Sequence, residues 1–209
     1  MKTIAERMNA AMAALSRGDF AAARVTAEDA LRAQRNNAAI LQFLGVASSQ
    51  QGDLKSGADY FRRAIAHGGD TADNRINLAK VLVDLGQLDE AAQLCEGPAA
   101  ASSPDLQRMK ADILRAQGRG DEALWLYESV TIERPDDFEA WNNLGNARLQ
   151  RGDVGGALDA LGRALEQLPR TIDDAPRFDR FRARLGQERG DWPEAARLAW
   201  RSQLLEEFL

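Results

Sequence analysis

His67 and Cys95 are the only imidazole and the only thiol in 209 residues, so acid–base or nucleophilic chemistry would have to rest on one of them or on carboxylates. A general base needs a positioned partner, and a nucleophilic thiol needs a depressed pKa. His67 precedes Gly68-Gly69-Asp70 at what reads as a helix end, which suits capping or solvent exposure. Cys95 falls where a large apolar side chain is expected, which suits a small buried hydrophobe better than a reactive thiol. The paired acids Asp136-Asp137 and Asp173-Asp174 stand just before helical patterns, where carboxylates satisfy free N–H groups. No phosphate loop, zinc spacing, Ser/His/Asp arrangement or dinucleotide fingerprint occurs. The expectation is therefore no catalytic residue, no metal ligand and no cofactor.

The chemistry that remains is recognition. Asn142, Asn143 and Asn146 each carry a donor and an acceptor that suit an extended peptide backbone. Arg108, Arg115, Arg177, Arg180 and Arg184 can each hold a carboxylate through two parallel hydrogen bonds. The last three recur at spacings of three and four, which places them on one helical face. Reading them as a solvated face paired with neighbouring acids competes with reading them as a binding surface.

Positioning such groups requires helices, and residues 138–171 show how the chain builds them. Trp141, Leu144 and Gly145 precede a turn at Gly152-Asp153, followed by Ala157, Leu161, Ala164 and a breaker at Pro169. The turn glycine recurs at Gly18, Gly52, Gly86, Gly118, Gly152 and Gly190, at intervals of 34, 34, 32, 34 and 38 residues. Five residues after each stands a small residue: Ala23, Gly57, Ala91, Ala123, Ala157 and Ala195. This pattern resembles the tetratricopeptide repeat, whose period is about 34 residues. The resemblance implies an all-α, right-handed α-solenoid of about six helix-turn-helix repeats. They would span about 4–37, 38–71, 72–103, 104–137, 138–171 and 176–209 of a single domain covering residues 1–209. Small residues would sit where paired helices cross closely, with Trp141, Leu144 and Leu161 filling the seam.

Departures from the pattern carry their own expectations. The first repeat holds Arg7, Ala10 and Ala11 in place of the Trp and Leu-Gly positions, as terminal repeats often differ. In the third, Gly97-Pro98 should end the second helix early, and Pro104 should open the next in the favoured first-turn position. Four additional residues, Ile172 to Ala175, precede the sixth repeat.

A net charge of −5 disfavours a nucleic-acid partner, which usually calls for clustered Lys and Arg. Glu6 and Arg7 interrupt any apolar leader, and no stretch approaches the roughly 20 apolar residues of a membrane helix. No membrane insertion is expected, and a cytoplasmic location is; scarce lysine and abundant alanine suggest a bacterial genome.

In the family, the concave surface is lined by the first helix of each repeat, mainly at its second, fifth, sixth, ninth and twelfth positions. These positions imply an apolar N-terminal half with Met8, Met12, Phe43 and Val46, and a polar C-terminal half with the asparagines and arginines named above. Asn9, Asn77 and Asn143 all take the sixth position, similar to the asparagine ladder of peptide-gripping members; capping or bridging of neighbouring helices is the competing role. Repeats four to six match only part of the carboxylate clamp of chaperone-binding members, so no such clamp is expected. The function implied is a non-catalytic scaffold that binds protein or peptide. The alternative is the repeat portion of a larger bacterial enzyme, of glycosyltransferase or sulfotransferase type. In the final helix Trp200, Leu204 and Phe208 form a stripe at fourfold spacing, for which a homodimer interface, sequence beyond Leu209 or the preceding repeat would each supply a cover.

Overall fold

The computed structural model describes residues 3–166, and every regular element among them is an α-helix. The chain divides into two compact units, Met1–Gln117 and Gly118–Leu209. The sixth repeat lies outside the described residues, as do Gly190 and the expected insertion at 172–175.

In the first unit, antiparallel helices alternate: α1 Ile4–Ser16, α2 Phe20–Ala33, α3 Ala38–Gln50, α4 Leu54–Ala66, α5 Ala72–Asp84 and α6 Leu88–Leu94. A short α7, Pro98–Ala101, leads into α8, Pro104–Ala116. The second unit contains α9 Gly120–Glu133, α10 Phe138–Gln150 and α11 Val154–Glu166.

The expected Gly-Asp turn joins α1 to α2, α3 to α4 and α10 to α11. At the end of α3, Gly52 takes φ +87°, where a side chain would be strained. The Gly52 and Asp53 N–H groups donate to the Ser49 and Ser48 carbonyls at 3.0 and 2.9 Å, satisfying acceptors that the helix end leaves open. Asp53 then accepts from the Ser56 N–H at 3.2 Å as the first cap of α4. Gly152-Asp153 repeats the arrangement between α10 and α11.

The interiors of the pairs are filled by the seam positions. Leu41, Leu44, Phe61, Leu78 and Leu82 are buried in the first unit, and Tyr127, Leu144 and Leu161 in the second. Two apolar clusters in the first unit share α3 and α4, so burial is continuous from one pair to the next, as stacked repeats require. Polar links reinforce the stacking: Arg24 pairs with Asp53 at 3.0 Å, Arg62 grips both oxygens of Glu90 at 2.8 and 2.9 Å, and the Tyr60 hydroxyl donates to Glu28.

The third repeat is interrupted where the sequence indicates. Helix α6 is only seven residues long, Gly97 takes φ +92°, and Pro104 occupies the first turn of α8. The Ala- and Ser-rich connection is not wholly irregular, since α7 forms within it.

Trp141 departs from its expected place. It is half-buried, while Leu144 beside it is 1% exposed and takes the seam. The indole N–H explains the difference: it must find an acceptor, and at the edge of the pair it donates to the Pro135 carbonyl at 2.8 Å. Arginines occupy the corresponding place in two other repeats. Arg7 donates to the Asp29 carbonyl of α2 at 2.9 Å, and Arg75 reaches the Leu94 carbonyl of α6 at 3.4 Å. This position therefore supplies a hydrogen bond to a main-chain carbonyl, on the following partner helix for the two arginines and in the loop just before its own helix for Trp141.

Candidate functional site

On α10 the asparagines and Trp141 diverge. At 3.6 residues per turn, Arg148 falls within about 20° of Trp141, whereas Asn142, Asn143 and Asn146 lie roughly 100–160° away. Helix α10 thus carries one stripe toward the second helices and another on the first-helix face. Asn142, Asn143 and Asn146 are all half-buried. Among the described residues the Asn142 amide has no hydrogen-bond partner, so its donor and acceptor remain available to a ligand.

The cationic candidates are spread over the chain. Arg108 of α8 is half-buried and lies 3.6 Å from Asp105, while Arg115 near the same helix's end is exposed. Both belong to the first unit and the asparagines to the second. Arg177, Arg180 and Arg184 lie outside the described residues, as do Trp200, Leu204 and Phe208.

In the apolar set, Met8 and Phe43 are half-buried against the cluster that includes Leu41 and Leu44. Val46 packs on the cluster around Phe61. Met12 is 50% exposed, and its flexible thioether suits an adaptable contact. Three large apolar side chains stand further out: Val25 of α2 at 65%, and Trp125 at 67% and Ile132 at 81% exposure, both on α9. The spacing of seven between Trp125 and Ile132 puts those two on one stripe. Neither Trp125 nor Ile132 is among the site residues expected from the sequence, although that spacing was there to be read.

The lone histidine and cysteine do what their contexts predict. His67 is exposed at the C-terminal cap of α4. Cys95 is buried, and its burial pushes the thiol up to about 11 despite the opposing charges of Lys110 and Arg75. Folded protein at pH 8 should therefore react slowly with a thiol reagent and rapidly once urea exposes the side chain. Equal rates in the two states would remove the burial account. Among the described residues, no three His, Cys, Asp or Glu side chains gather as a metal-binding group, and no helix is long and apolar enough to cross a membrane.

Comparison with known proteins agrees with this architecture. Family models described as tetratricopeptide repeat match residues 8–72 and 108–171, 48–113, and 176–199. "Cellulose synthase operon protein C" of Xanthomonas axonopodis pv. citri (strain 306) is 31% identical over 200 residues. That match takes in 91% of this chain but only 13% of the relative. The structure of a thermophilic TPR protein of Thermus thermophilus superposes with TM-score 0.67 at 18% identity, covering 85% of this chain and 98% of that one. YrrB, described as a TPR protein with an unusual peptide-binding site, gives TM-score 0.58 at 22% identity, covering 85% of this chain and 92% of that one. Helix pairs of the expected period, joined at positive-φ glycines and matched by family models over more than half the chain, place this protein in the tetratricopeptide repeat family.

Proposed function

We propose that the chain is a non-catalytic scaffold that binds a protein or peptide along the face carried by its first helices. The observation that carries this reading is the half-buried Asn142, whose amide has no partner among the described residues. A partly desolvated amide gains from an extended peptide that presents a backbone N–H and C=O to it. Asn143 and Asn146 lie on the same face of α10. By repeat register, Arg108 and Arg115 in the first unit and Arg177, Arg180 and Arg184, outside the described residues, are the further polar candidates, and Met8, Met12, Phe43 and Val46 are the apolar candidates of the first unit.

Selection of displayed random peptides against the full chain tests the reading. The selected peptides should lose about five- to tenfold in affinity on Asn142→Ala, in keeping with roughly 1 kcal/mol per hydrogen bond. Acid-bearing peptides should weaken as salt rises. Unchanged affinity in N142A and in a variant with all three C-terminal arginines reversed to glutamate would exclude this surface.

A second reading is favoured by the short span of the chain within its curated relative. Here the array is the repeat portion of a larger bacterial protein, whether an enzyme of glycosyltransferase or sulfotransferase type or a component of a cellulose-synthesis system. The gene sequence beyond Leu209 decides between a free scaffold and a fused one. In the free form, the Trp200, Leu204 and Phe208 stripe would join two copies, and light scattering should then show a dimer that Leu204→Glu with Phe208→Glu dissociates.

A further inference from the structure

A cleft of about 900 Å³ lies in the second unit, away from the Asn142 face. Its walls are the end of α9 with Ile132 and Pro135, the Trp141 and Arg148 stripe of α10, and α11 from Leu158 to Arg163. The first unit has a smaller version of about 430 Å³ between the corresponding second helices, lined by Leu31, Arg32, Arg35 and Arg63. The two clefts differ in how their charges are used. In the smaller one, Arg63 stands 5.6 Å from the Tyr60 ring centre and also 3.7 Å from Asp59 one turn earlier. Asp159 and Arg163 repeat that spacing in α11, and an acid four residues before a base normally pairs with it. Instead Arg163 stands over the Trp141 ring at 5.0 Å. Both groups are exposed, and among the described residues neither has an ion-pair partner. Arg148 is already engaged, bonded to Glu128 at 2.9 Å and to the Gly156 carbonyl at 3.2 Å.

We propose that this cleft binds an extended peptide carrying an acidic and a basic side chain two residues apart, the acid on Arg163 and the base on Asp159, with flanking apolar side chains on Ile132 and Leu158. Alternate side chains of an extended chain lie on one side at about 6.6–6.8 Å, close to one helical turn, so both charges can be met at once. The cation–π contact holds the guanidinium plane on Trp141 while its N–H edge stays open to a carboxylate. Ile132, at 81% exposure, gains burial only when the cleft is filled.

The test uses the full chain, uniformly labelled with nitrogen-15, and a blocked Leu-Gly-Glu-Gly-Lys-Gly-Leu peptide as probe. The readout is the Trp141 indole N–H resonance, assigned by its loss in Trp141→Phe. A saturable shift is expected. Replacing the probe's glutamate by glutamine should weaken binding about three- to fivefold, the scale of an exposed ion pair, and Arg163→Gln should do the same with no further loss when the two are combined. Lysine to glutamine in the probe and Asp159→Asn should show the same shared loss. The proposal is overturned by no shift up to the solubility of the probe, by equal shifts with an all-glutamine probe, by losses that add instead of being shared, or by a response at the Asn142 side-chain amide in place of the Trp141 indole.

Discussion

Phe61→Ala will lower stability by about 3–5 kcal/mol, the range for truncating a buried phenylalanine. Phe61 is 1% exposed and belongs to the cluster with Leu78, Leu82 and Ile113, which joins α4 to α5 and α8. Its ring also fills the space over Gly45, where no side chain can move in to replace it. The cavity would therefore open both against α3 of the same repeat and toward α5 and α8 of the following ones, where a stacked array depends on its neighbours. For a chain of this length the thermal midpoint should fall by roughly 2–4 °C for each kcal/mol. Leu144→Ala, at 1% exposure, should cost about 2–5 kcal/mol in the second unit. Trp141→Ala should cost less than Leu144→Ala, because the indole is half-buried at the rim. A Phe61→Ala midpoint equal to that of the unmodified protein would show that the seam position has been wrongly assigned.

The period was legible because its signals are local. A glycine that must adopt positive φ, an aspartate that caps the next helix and a small residue five positions on can all be read without knowing what touches what. The early end of α6 was legible for the same reason, since Gly97-Pro98 carries its own backbone constraint. Trp141 was misread because periodicity places a residue on a face but does not say how deep it sits. An indole that needs a hydrogen-bond acceptor settles at an edge, and the smaller Leu144 takes the interior. The asparagines could be named because the family resemblance supplies the register positions that they occupy. The cleft beside Trp141 could not, because it is made by residues more than 30 positions apart, from Thr131 to Arg163. Among the described residues Asp159 has no ion-pair partner, because Arg163 lies on the indole instead of pairing with it.

Gly45→Ala will destabilise the first unit even though alanine is the better helix former by about 0.8–1 kcal/mol. A methyl group at Gly45 would stand 2.7–2.8 Å from three atoms of the Phe61 ring, and that ring is itself 1% exposed within the core. Overpacking of this kind typically costs about 1–3 kcal/mol, so the clash outweighs the propensity gain and the net effect is a loss. Gly162→Ala provides the opposite case: a methyl group in α11 meets nothing within 4 Å, so only the propensity gain remains. The third repeat shows how the clash can be avoided, since it places Ala79 and Cys95 where the second has Gly45 and Phe61, and both are buried. Phe61→Cys should accordingly cost less in the Gly45→Ala background than in the unmodified chain, with a coupling of about 0.5–3 kcal/mol expected of residues in contact. Urea unfolding of the four proteins of this cycle, with Gly162→Ala alongside, measures each term. If Gly45→Ala stabilised the chain as Gly162→Ala does, the close approach of α3 and α4 at the glycine would not be what sets the residue at that position.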